Sequence, residues 1–270
     1  MHSRMSEVAI FRREGERFVP SAYASGPWGA DRLHGGPVIG LIARAIEAEA
    51  ADPELVVTRL TVDLFRPVPL EPLAVRVETL RRGSRLCLLQ AGLLVGESEC
   101  ARATALLLRA SDLGATDHAA RCPAGPDGLA TESLMRGFAR EGFPPGFHTL
   151  AQTRWVPRVA GEPLAIWFHL PAPLVAGEQA SALQCAVALS DFANAVATIA
   201  GRERAPEAVP YINADATLYL SRRPEGEWFC LQEQACDNER GISVAETLLC
   251  DVRGPFGRAL QARLANRFQR

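Results

Sequence analysis

The sequence predicts an α+β protein made of two similar units, in each of which one long helix covers an antiparallel sheet. A helix followed by strand-like runs occurs in the first part of the 270-residue chain, and the same order returns in the second part. Short segments also recur at an offset of roughly 156 to 158 residues, which indicates an internal duplication. The recurring pairs are Leu64-Phe65-Arg66-Pro67 with Leu220-Ser221-Arg222-Arg223-Pro224, Arg82-Gly83 with Arg240-Gly241, and Ala101-Arg102-Ala103 with Gly257-Arg258-Ala259.

The first unit opens with a hairpin and continues into a helix. Residues 8–20 contain two short strand-like runs around a Glu14-Gly15 turn, and residues 21–37 form a loop rich in Gly and Pro. From Pro37 to Ala50 the apolar residues follow helical spacing, and a proline stands in the first turn. Four strand-like runs rich in Val, Leu and Thr come next, at 55–66, 73–81, 85–95 and 99–109.

The second unit repeats this order after a connecting segment. Residues 110–147 are crowded with Gly, Pro and polar residues, so we expect units at 1–112 and 146–270 joined by a linker at 113–145. The second unit has strand-like runs at 148–157 and 163–170 and then a helix from about 181 to 201. Four further strand-like runs follow the helix, at 209–221, 227–237, 242–251 and 255–266. Two such units can pair their sheets edge to edge, which covers two exposed strand edges.

Composition excludes several classes of function. The chain has 29 Lys and Arg against 31 Asp and Glu, so it lacks the broad basic surface that nucleic acid requires as a partner. Clustered metal ligands and glycine-rich phosphate loops are missing, so we expect no metal and no cofactor. No apolar run reaches 18 residues and the N-terminus is charged throughout, which predicts neither membrane association nor export.

The cysteines indicate a reducing compartment. Their number is odd, and no two are separated by the two residues that are typical of a zinc knuckle or a redox pair. We therefore expect reduced, mostly buried thiols in a cytoplasmic protein. The cysteines are Cys87, Cys100, Cys122, Cys185, Cys230, Cys236 and Cys250.

Four segments resemble a known family, the double-hotdog acyl-CoA thioesterases, whose type II members are the best studied. They are Gly26-Pro27-Trp28-Gly29-Ala30-Asp31-Arg32-Leu33-His34-Gly35-Gly36 before the first helix, Leu189-Ser190-Asp191-Phe192-Ala193-Asn194 on the second, Asn213-Ala214-Asp215, and Arg222-Arg223-Pro224-Glu225-Gly226-Glu227-Trp228. The resemblance covers nearly the whole chain. It implies a tandem hotdog fold, hydrolysis of acyl-CoA in fatty acid metabolism, and pairing into homodimers or higher oligomers.

The resemblance also implies three polar residues that hold a water against the thioester carbonyl: an Asp on the second helix, a Thr near the next strand and a Gln on the last strand. Asp191 matches the Asp, and the Thr position is occupied by Asn213, which keeps hydrogen-bonding ability without a hydroxyl. Gapless counting puts the Gln position at Ala262. Its neighbour Gln261 is a candidate only if the preceding turn differs by one residue, because a one-residue shift turns a strand side chain to the opposite face.

Substrate contacts are expected in front of the first helix, at His34, Gly35 and Gly36. A thioester carbonyl is electrophilic enough that a carboxylate orienting and deprotonating water can suffice, without a protein nucleophile. Backbone N–H groups at a helix N-terminus can stabilise the oxyanion, and glycines let a substrate approach the backbone closely. The chain has no G-x-S-x-G motif, which disfavours serine-hydrolase chemistry.

Structural roles and other functions stay open for these residues. Asp191 can make a structural hydrogen bond, Asn213 can cap a turn, His34 can pack in its loop, and Gln261 can be a plain surface residue. A catalytically silent acyl-binding or assembly protein is the main alternative, favoured if packing seals Asp191. A hotdog dehydratase is less favoured because no Asp and His pair is visible, but a histidine beside Asp191 would restore it.

Overall fold

A computed structural model describes residues 8–27, 29–111, 114, 121–138, 144–205 and 210–266. Trp28 and much of the predicted linker, including its boundary at 112 and 113, lie outside these residues. The first half contains eight strands and one long helix, in this order: β1 (Phe11–Glu14), β2 (Arg17–Pro20), β3 (Ser25–Gly26), β4 (Gly29–Leu33), α1 (Gly35–Ala50), β5 (Leu55–Asp63), β6 (Leu73–Arg82), β7 (Leu86–Val95) and β8 (Ser98–Arg109).

The second half repeats the helix and the four long strands. Its elements are β9 (Thr131–Glu132), α2 (Phe147–Leu150), β10 (Gln152–Trp155), β11 (Ala165–His169), α3 (Ala182–Ser190), α4 (Ala193–Arg204), β12 (Tyr211–Asn213), β13 (Asp215–Leu220), β14 (Trp228–Glu239), β15 (Ile242–Asp251) and β16 (Gly254–Ala265). No single described helix has the length and hydropathy to cross a membrane; α3 and α4 reach them only when taken together, with a 40° bend between them.

One antiparallel sheet of 14 strands joins the two halves. Its order is β1-β2-β6-β7-β8-β5-β13-β16-β15-β14-β11-β10-β9, with β12 also paired to β16. The halves meet at β5 and β13, where Thr61 lies directly opposite Thr217. These two threonines are 156 residues apart, which is the offset of the duplication. A local twofold relation therefore passes between them, and the expected edge-to-edge pairing is present.

The predicted elements match the structure closely, with a few local departures. The run predicted as a strand at 148–157 begins with the short helix α2, and the run predicted at 209–221 is divided into β12 and β13. The hairpin, the first helix and the long strands are confirmed within a few residues. The predicted loop at 21–37 contains the small β3–β4 hairpin. The predicted helix at 181–201 is broken after Ser190, where the Phe192 N–H donates to the Leu189 carbonyl in a tightened turn. No Gly or Pro marks this break, so apolar spacing alone predicts a continuous helix.

Helices α1 and α3 pack closely against each other on the inner face of the sheet. A Cβ added to Gly40 would lie 2.9 Å from the Cβ of Ala188, so only glycine permits this separation. Apolar residues from both helices and from the strands beneath them form one continuous core. The close helix contact brings the N-terminus of α1 to the end of α3.

The Arg-Pro segment after β13 has a structural role. Arg222 makes a bidentate ion pair with buried Asp251, at 2.6 and 2.7 Å. Asp251 also accepts the N–H groups of Glu225 and Arg253, each at 2.8 Å. The neighbouring Arg223 donates to the carbonyls of Pro53 and Leu55 in the first half. This segment therefore fastens the β14–β15 end of the sheet and ties the two halves together.

A smaller core lies on the outer face of the second half, under the segment that begins at residue 121. Its centre is Trp167, whose indole N–H donates to the Ala124 carbonyl at 2.9 Å. Cys122 in this segment forms a disulfide with Cys250 on β15, with 6.1 Å between their Cα atoms. The prediction that all cysteines are reduced is therefore wrong for this pair. Sequence spacing could not reveal it, because 128 residues separate the two positions.

We expect the Cys122–Cys250 disulfide to stabilise the fold by restricting the unfolded chain. A Cys122→Ser/Cys250→Ser variant should unfold at a lower temperature than the oxidised wild type. The loss of unfolding free energy should be on the order of 2–4 kcal/mol. Thermal denaturation with and without a dithiol reductant measures the difference.

The double serine variant is its own control, because a reductant should lower the Tm of the wild type and leave that of the variant unchanged. Peptide mapping under non-reducing conditions should recover Cys122 linked to Cys250. An unlinked pair in oxidised protein would contradict this assignment.

Candidate active site

Asp191 lies at the break between α3 and α4, where its carboxylate faces the first half of the chain. The residue is 5% exposed, and its two oxygens contact side chains from different elements. The carboxylate also lies against Gly35 at the N-terminus of α1, where the helix dipole favours negative charge. The helix dipole therefore offsets part of the free-energy cost of removing this carboxylate from water.

Asn213 fixes one oxygen of this carboxylate. Its Nδ2 donates to Asp191 Oδ1 at 2.8 Å. Asn213 ends β12, and its backbone is paired with Arg263 on β16. The family resemblance placed Asn213 at a Thr position, and the structure brings its amide to Asp191.

His34 contacts the second oxygen. Its Nδ1 lies 2.9 Å from Asp191 Oδ2 and 3.1 Å from the backbone nitrogen of Gly36. One ring nitrogen cannot accept from an N–H and donate its own proton at the same time. A hydrogen bond to a carboxylate is the stronger of the two, so we assign the proton to Nδ1 with Asp191 as its acceptor. Phe147 and Phe192 flank the ring at centroid distances of 5.2 and 5.0 Å.

Gly35 and Gly36 allow this arrangement because a side chain at either position would collide with it. A Cβ on Gly35 would lie 2.7 Å from Asp191 Oδ2, and a Cβ on Gly36 would lie 2.6 Å from the Ala188 carbonyl oxygen. The sequence predicted that these glycines admit a substrate. In this structure protein atoms occupy the space next to both of them.

Gln261 and Ala262 lie on opposite faces of β16. Gln261 is 1% exposed and faces the helices, whereas Ala262 faces outward. Neither Gln261 amide atom has a hydrogen-bond partner among the residues that the structure describes. Gln261 is two residues from Arg263, the strand partner of Asn213, and so lies on the same face of the sheet as both. Of these two residues, Gln261 is therefore the one that faces the interior.

His148 lies next to His34, with 6.5 Å between the ring centroids. Burial, and after it the nearby His34, lower the pKa of His148 to about 4, although hydrogen bonding to the backbone of Pro144 and Ser25 acts to raise it. His148 is therefore neutral at physiological pH. It forms part of the wall behind His34.

Sequence reasoning named candidates from both halves but missed that His34 contacts Asp191 directly. His34 comes from the first half, whereas Asp191 and Asn213 come from the second, and His34 and Asp191 are 157 positions apart in the sequence. Phe147, Phe192 and His148 were not predicted either. The one available signal was the duplication, because an internal twofold relation places the two helix starts close together.

We expect Gly35→Ala to displace the Asp191 carboxylate, because the new Cβ would lie within 2.8 Å of both carboxylate oxygens. The variant should lose about 1–3 kcal/mol of unfolding free energy, as overpacked sites do. Urea denaturation measures the loss. Gly201→Ala is the matched control, because that helical glycine has nothing within 4 Å of the added Cβ. Equal stability of Gly35→Ala and the wild type would contradict the contact.

The neutral state of His148 predicts a pH dependence of stability. Its folded-state pKa of about 4 lies below the unfolded value of 6.5. Protons therefore bind the unfolded chain first, and stability falls as the pH is lowered from 6.5 toward 4. The contribution is on the order of 3 kcal/mol. Unfolding free energies at pH 7 and pH 4.5 should differ less for His148→Gln than for the wild type, and an identical difference would refute this origin.

Comparison with known proteins agrees with this architecture. A family model for the acyl-CoA thioesterase N-terminal domain matches residues 24–108, and one for the acyl-CoA thioesterase C-terminal domain matches residues 119–264. No curated protein sequence matches the chain significantly.

Solved structures resemble the chain over nearly its full length. A provisionally named thioesterase II from Thermobifida fusca YX has 18% identity and a TM-score of 0.70 over 97% of this chain and 96% of its own. An acyl-CoA thioesterase II from Mycobacterium marinum has 17% identity and a TM-score of 0.63 over 95% of each chain. A protein of unknown function with a hotdog fold from Alicyclobacillus acidocaldarius has 14% identity and a TM-score of 0.68 over 95% of this chain and 96% of its own.

At these identities the structural likeness establishes the fold, and the predicted tandem hotdog is confirmed. The two family models together cover most of the chain and establish the family. The chain belongs to the double-hotdog acyl-CoA thioesterase family and is a thioester hydrolase of that class.

Proposed function

We propose that the protein hydrolyses acyl-CoA to the free acid and CoA with a water molecule that Asp191 orients and deprotonates. The observation that carries the proposal is the setting of Asp191. Its carboxylate is buried, lies where the two halves meet, and is fixed at one oxygen by His34 and at the other by Asn213. A carboxylate held by two side chains in a buried position has the rigidity that a general base needs.

In the proposed reaction the water oxygen forms a bond to the thioester carbonyl carbon while its proton passes to Asp191. The C–S bond then breaks, and the departing CoA thiolate takes up the proton that Asp191 received from the water, which restores the carboxylate. The imidazole of His34 shares a proton with Asp191 Oδ2 and so keeps the carboxylate in one orientation. Asn213 acts through Asp191 in the same way, as a positioning residue.

The developing oxyanion needs hydrogen-bond donors. The N-terminus of α1 lies against the Asp191 carboxylate. Backbone N–H groups at a helix start are suited to an oxyanion, because they are fixed before reaction. The amide of Gln261, buried and without a partner among the described residues, is the third polar group and can hold the water.

The silent acyl-binding protein remains a second candidate. Asp191 is 5% exposed and both of its oxygens have partners, which is the arrangement expected of a packed structural carboxylate. Hydrolysis requires that substrate binding opens a path to it. A binding protein would hold acyl-CoA without releasing thiol.

A dehydratase is the third candidate, and the contact between His34 and Asp191 favours it. In such a reaction His34 would remove the proton next to the thioester carbonyl of a 3-hydroxyacyl-CoA. Asp191 would give a proton to the departing hydroxyl, which leaves as water. The product, a conjugated enoyl thioester, is detected by its ultraviolet absorbance.

We expect purified protein to release thiol from acyl-CoA and Asp191→Asn to be at least about 100-fold slower, because loss of a general base typically costs two to four orders of magnitude. A panel from acetyl-CoA through aromatic acyl-CoA to palmitoyl-CoA identifies the preferred chain. Asp63→Asn is the matched control, since Asp63 is an exposed carboxylate at the end of β5.

The other results separate the candidates. Acyl-CoA binding without thiol release by any member of the panel supports the silent protein. Formation of enoyl thioester from 3-hydroxyacyl-CoA, lost in both His34→Ala and Asp191→Asn, supports the dehydratase. Thiol release that Asp191→Asn retains would sink the proposed mechanism.

Cytoplasmic location, a role in fatty acid metabolism and homodimer formation also remain proposals. The Cys122–Cys250 disulfide counts against the first, because disulfides are unusual in a reducing compartment. Exposed apolar side chains on the outer face of β13, β15 and β16 support pairing with a second copy. They are Tyr219, Ile242, Val244, Leu260 and Leu264.

A further inference from the structure

The inner faces of the two halves differ in chemistry although they share one architecture. The strand registers of the two halves correspond at an offset of 156 residues, as the pairs Val57–Leu107 and Asn213–Arg263 illustrate. Positions that are apolar or thiol in the first half are polar in the second. Val57, Cys87, Ala91, Ala105 and Leu107 correspond to Asn213, Ser243, Thr247, Gln261 and Arg263.

Arg263 is the most unusual member of this polar set. It is 3% exposed and lies between β16 and α4. Its guanidinium donates to Ser243 Oγ and Cys236 Sγ, each at 2.7 Å, and to the carbonyl and side-chain oxygens of Asn194 at 3.4 and 3.3 Å. It also lies over the Tyr211 ring. The acid closest in charge interaction, Glu233, is already paired with Arg204. Among the described residues Arg263 is therefore a buried cation with neutral partners.

Such a cation is unfavourable without an anion. Burial of a charge is tolerated in proteins when the charge is paired, and an unpaired one carries a large desolvation penalty. Burial accordingly lowers the pKa of Arg263. The Arg263 Nε atom also has no hydrogen-bond partner among the described residues. The guanidinium thus retains a donor for a further acceptor.

Two other residues on the inner face of the second half also carry buried polar atoms that lack partners within the described residues. Both amide atoms of Gln261 and the hydroxyl of Thr247 are buried and lack partners within the described parts of the chain. A buried polar group without a partner costs about 1–3 kcal/mol. Three neighbouring positions on β15 and β16 therefore offer donors and acceptors that a polar ligand would satisfy.

This polar face adjoins the site around Asp191. Asn213, which donates to Asp191, is the strand partner of Arg263, and cross-strand partners have Cβ atoms about 4.5–5.5 Å apart. Arg263 and Asp191 therefore flank the same residue, Asn213. A ligand that reaches both needs a short chain with a second polar group at its far end.

We propose that Arg263 binds the distal carboxylate of a short dicarboxylic acyl group, so that acyl thioesters of the succinyl or glutaryl type are the preferred ligands. This inference rests on the proposed function for the substrate's thioester end. Arg263 supplies the charge, and Gln261 and Thr247 supply further hydrogen bonds to the oxygens of that distal carboxylate. The corresponding positions in the first half are apolar or thiol, so among the described residues the duplication does not supply a second copy of this subsite.

The test measures binding in an Asp191→Asn background, where hydrolysis does not consume the ligand. Glutaryl-CoA and pentanoyl-CoA have five acyl carbons each and differ in the distal carboxylate. Isothermal titration should show glutaryl-CoA binding at least about tenfold more tightly than pentanoyl-CoA. Adding Arg263→Gln should weaken glutaryl-CoA about a hundredfold, as loss of one partner of a buried charge pair does, and leave pentanoyl-CoA within about twofold.

Arg258→Gln is the matched control, because Arg258 lies on the same strand but points outward, paired with Glu246. It should alter neither affinity. Equal affinity for the two thioesters, or no binding of glutaryl-CoA, overturns the subsite whether or not Arg263→Gln folds. Preferential binding of glutaryl-CoA by a wild type that hydrolyses no thioester would refute the proposed function and keep the subsite. Hydrolysis of both thioesters by the wild type at equal kcat/KM would support the proposed function and overturn the subsite.

Discussion

The pairing of β5 with β13 is the interaction on which the rest of the structure depends. Each half alone would leave a long strand edge open, and an open edge is a site for aggregation. Joining the two edges about Thr61 and Thr217 makes one sheet from two. The same junction fixes where α1 and α3 lie, and it thereby brings His34 and Asp191, which belong to different halves, within hydrogen-bond distance.

Much of the fold was predictable because the relevant signals are local. Helical spacing from Pro37 to Ala50 and the turns at Glu14-Gly15 and Arg82-Gly83 act within a few residues, and the duplication gave the second half by analogy. The break at Asp191 was missed because a tertiary contact, and no local residue preference, places it there. The Cys122–Cys250 pair was missed because its two members are brought together only by the folded linker.

The sequence predicted which residues form the candidate site better than it predicted the contacts between them. Asp191 and Asn213 were singled out on resemblance, but the hydrogen bond between them is visible only in the structure. Gapless counting favoured Ala262, whereas strand alternation buries Gln261 and exposes Ala262. Arg263 gave no signal at all, since an arginine near the end of a strand is ordinarily solvent-exposed.

The 156-residue offset also relates Asp191 to Gly35, and these two residues touch. In a symmetric dimer of identical units a residue at this place would face its own copy across the axis. Two aspartates would then press their carboxylates together, and one of them would have to hold a proton. A fused chain escapes that condition, because the two positions mutate independently. Fusion of the two units thus permits a single carboxylate beside a twofold axis, with a glycine at the equivalent position of the other half.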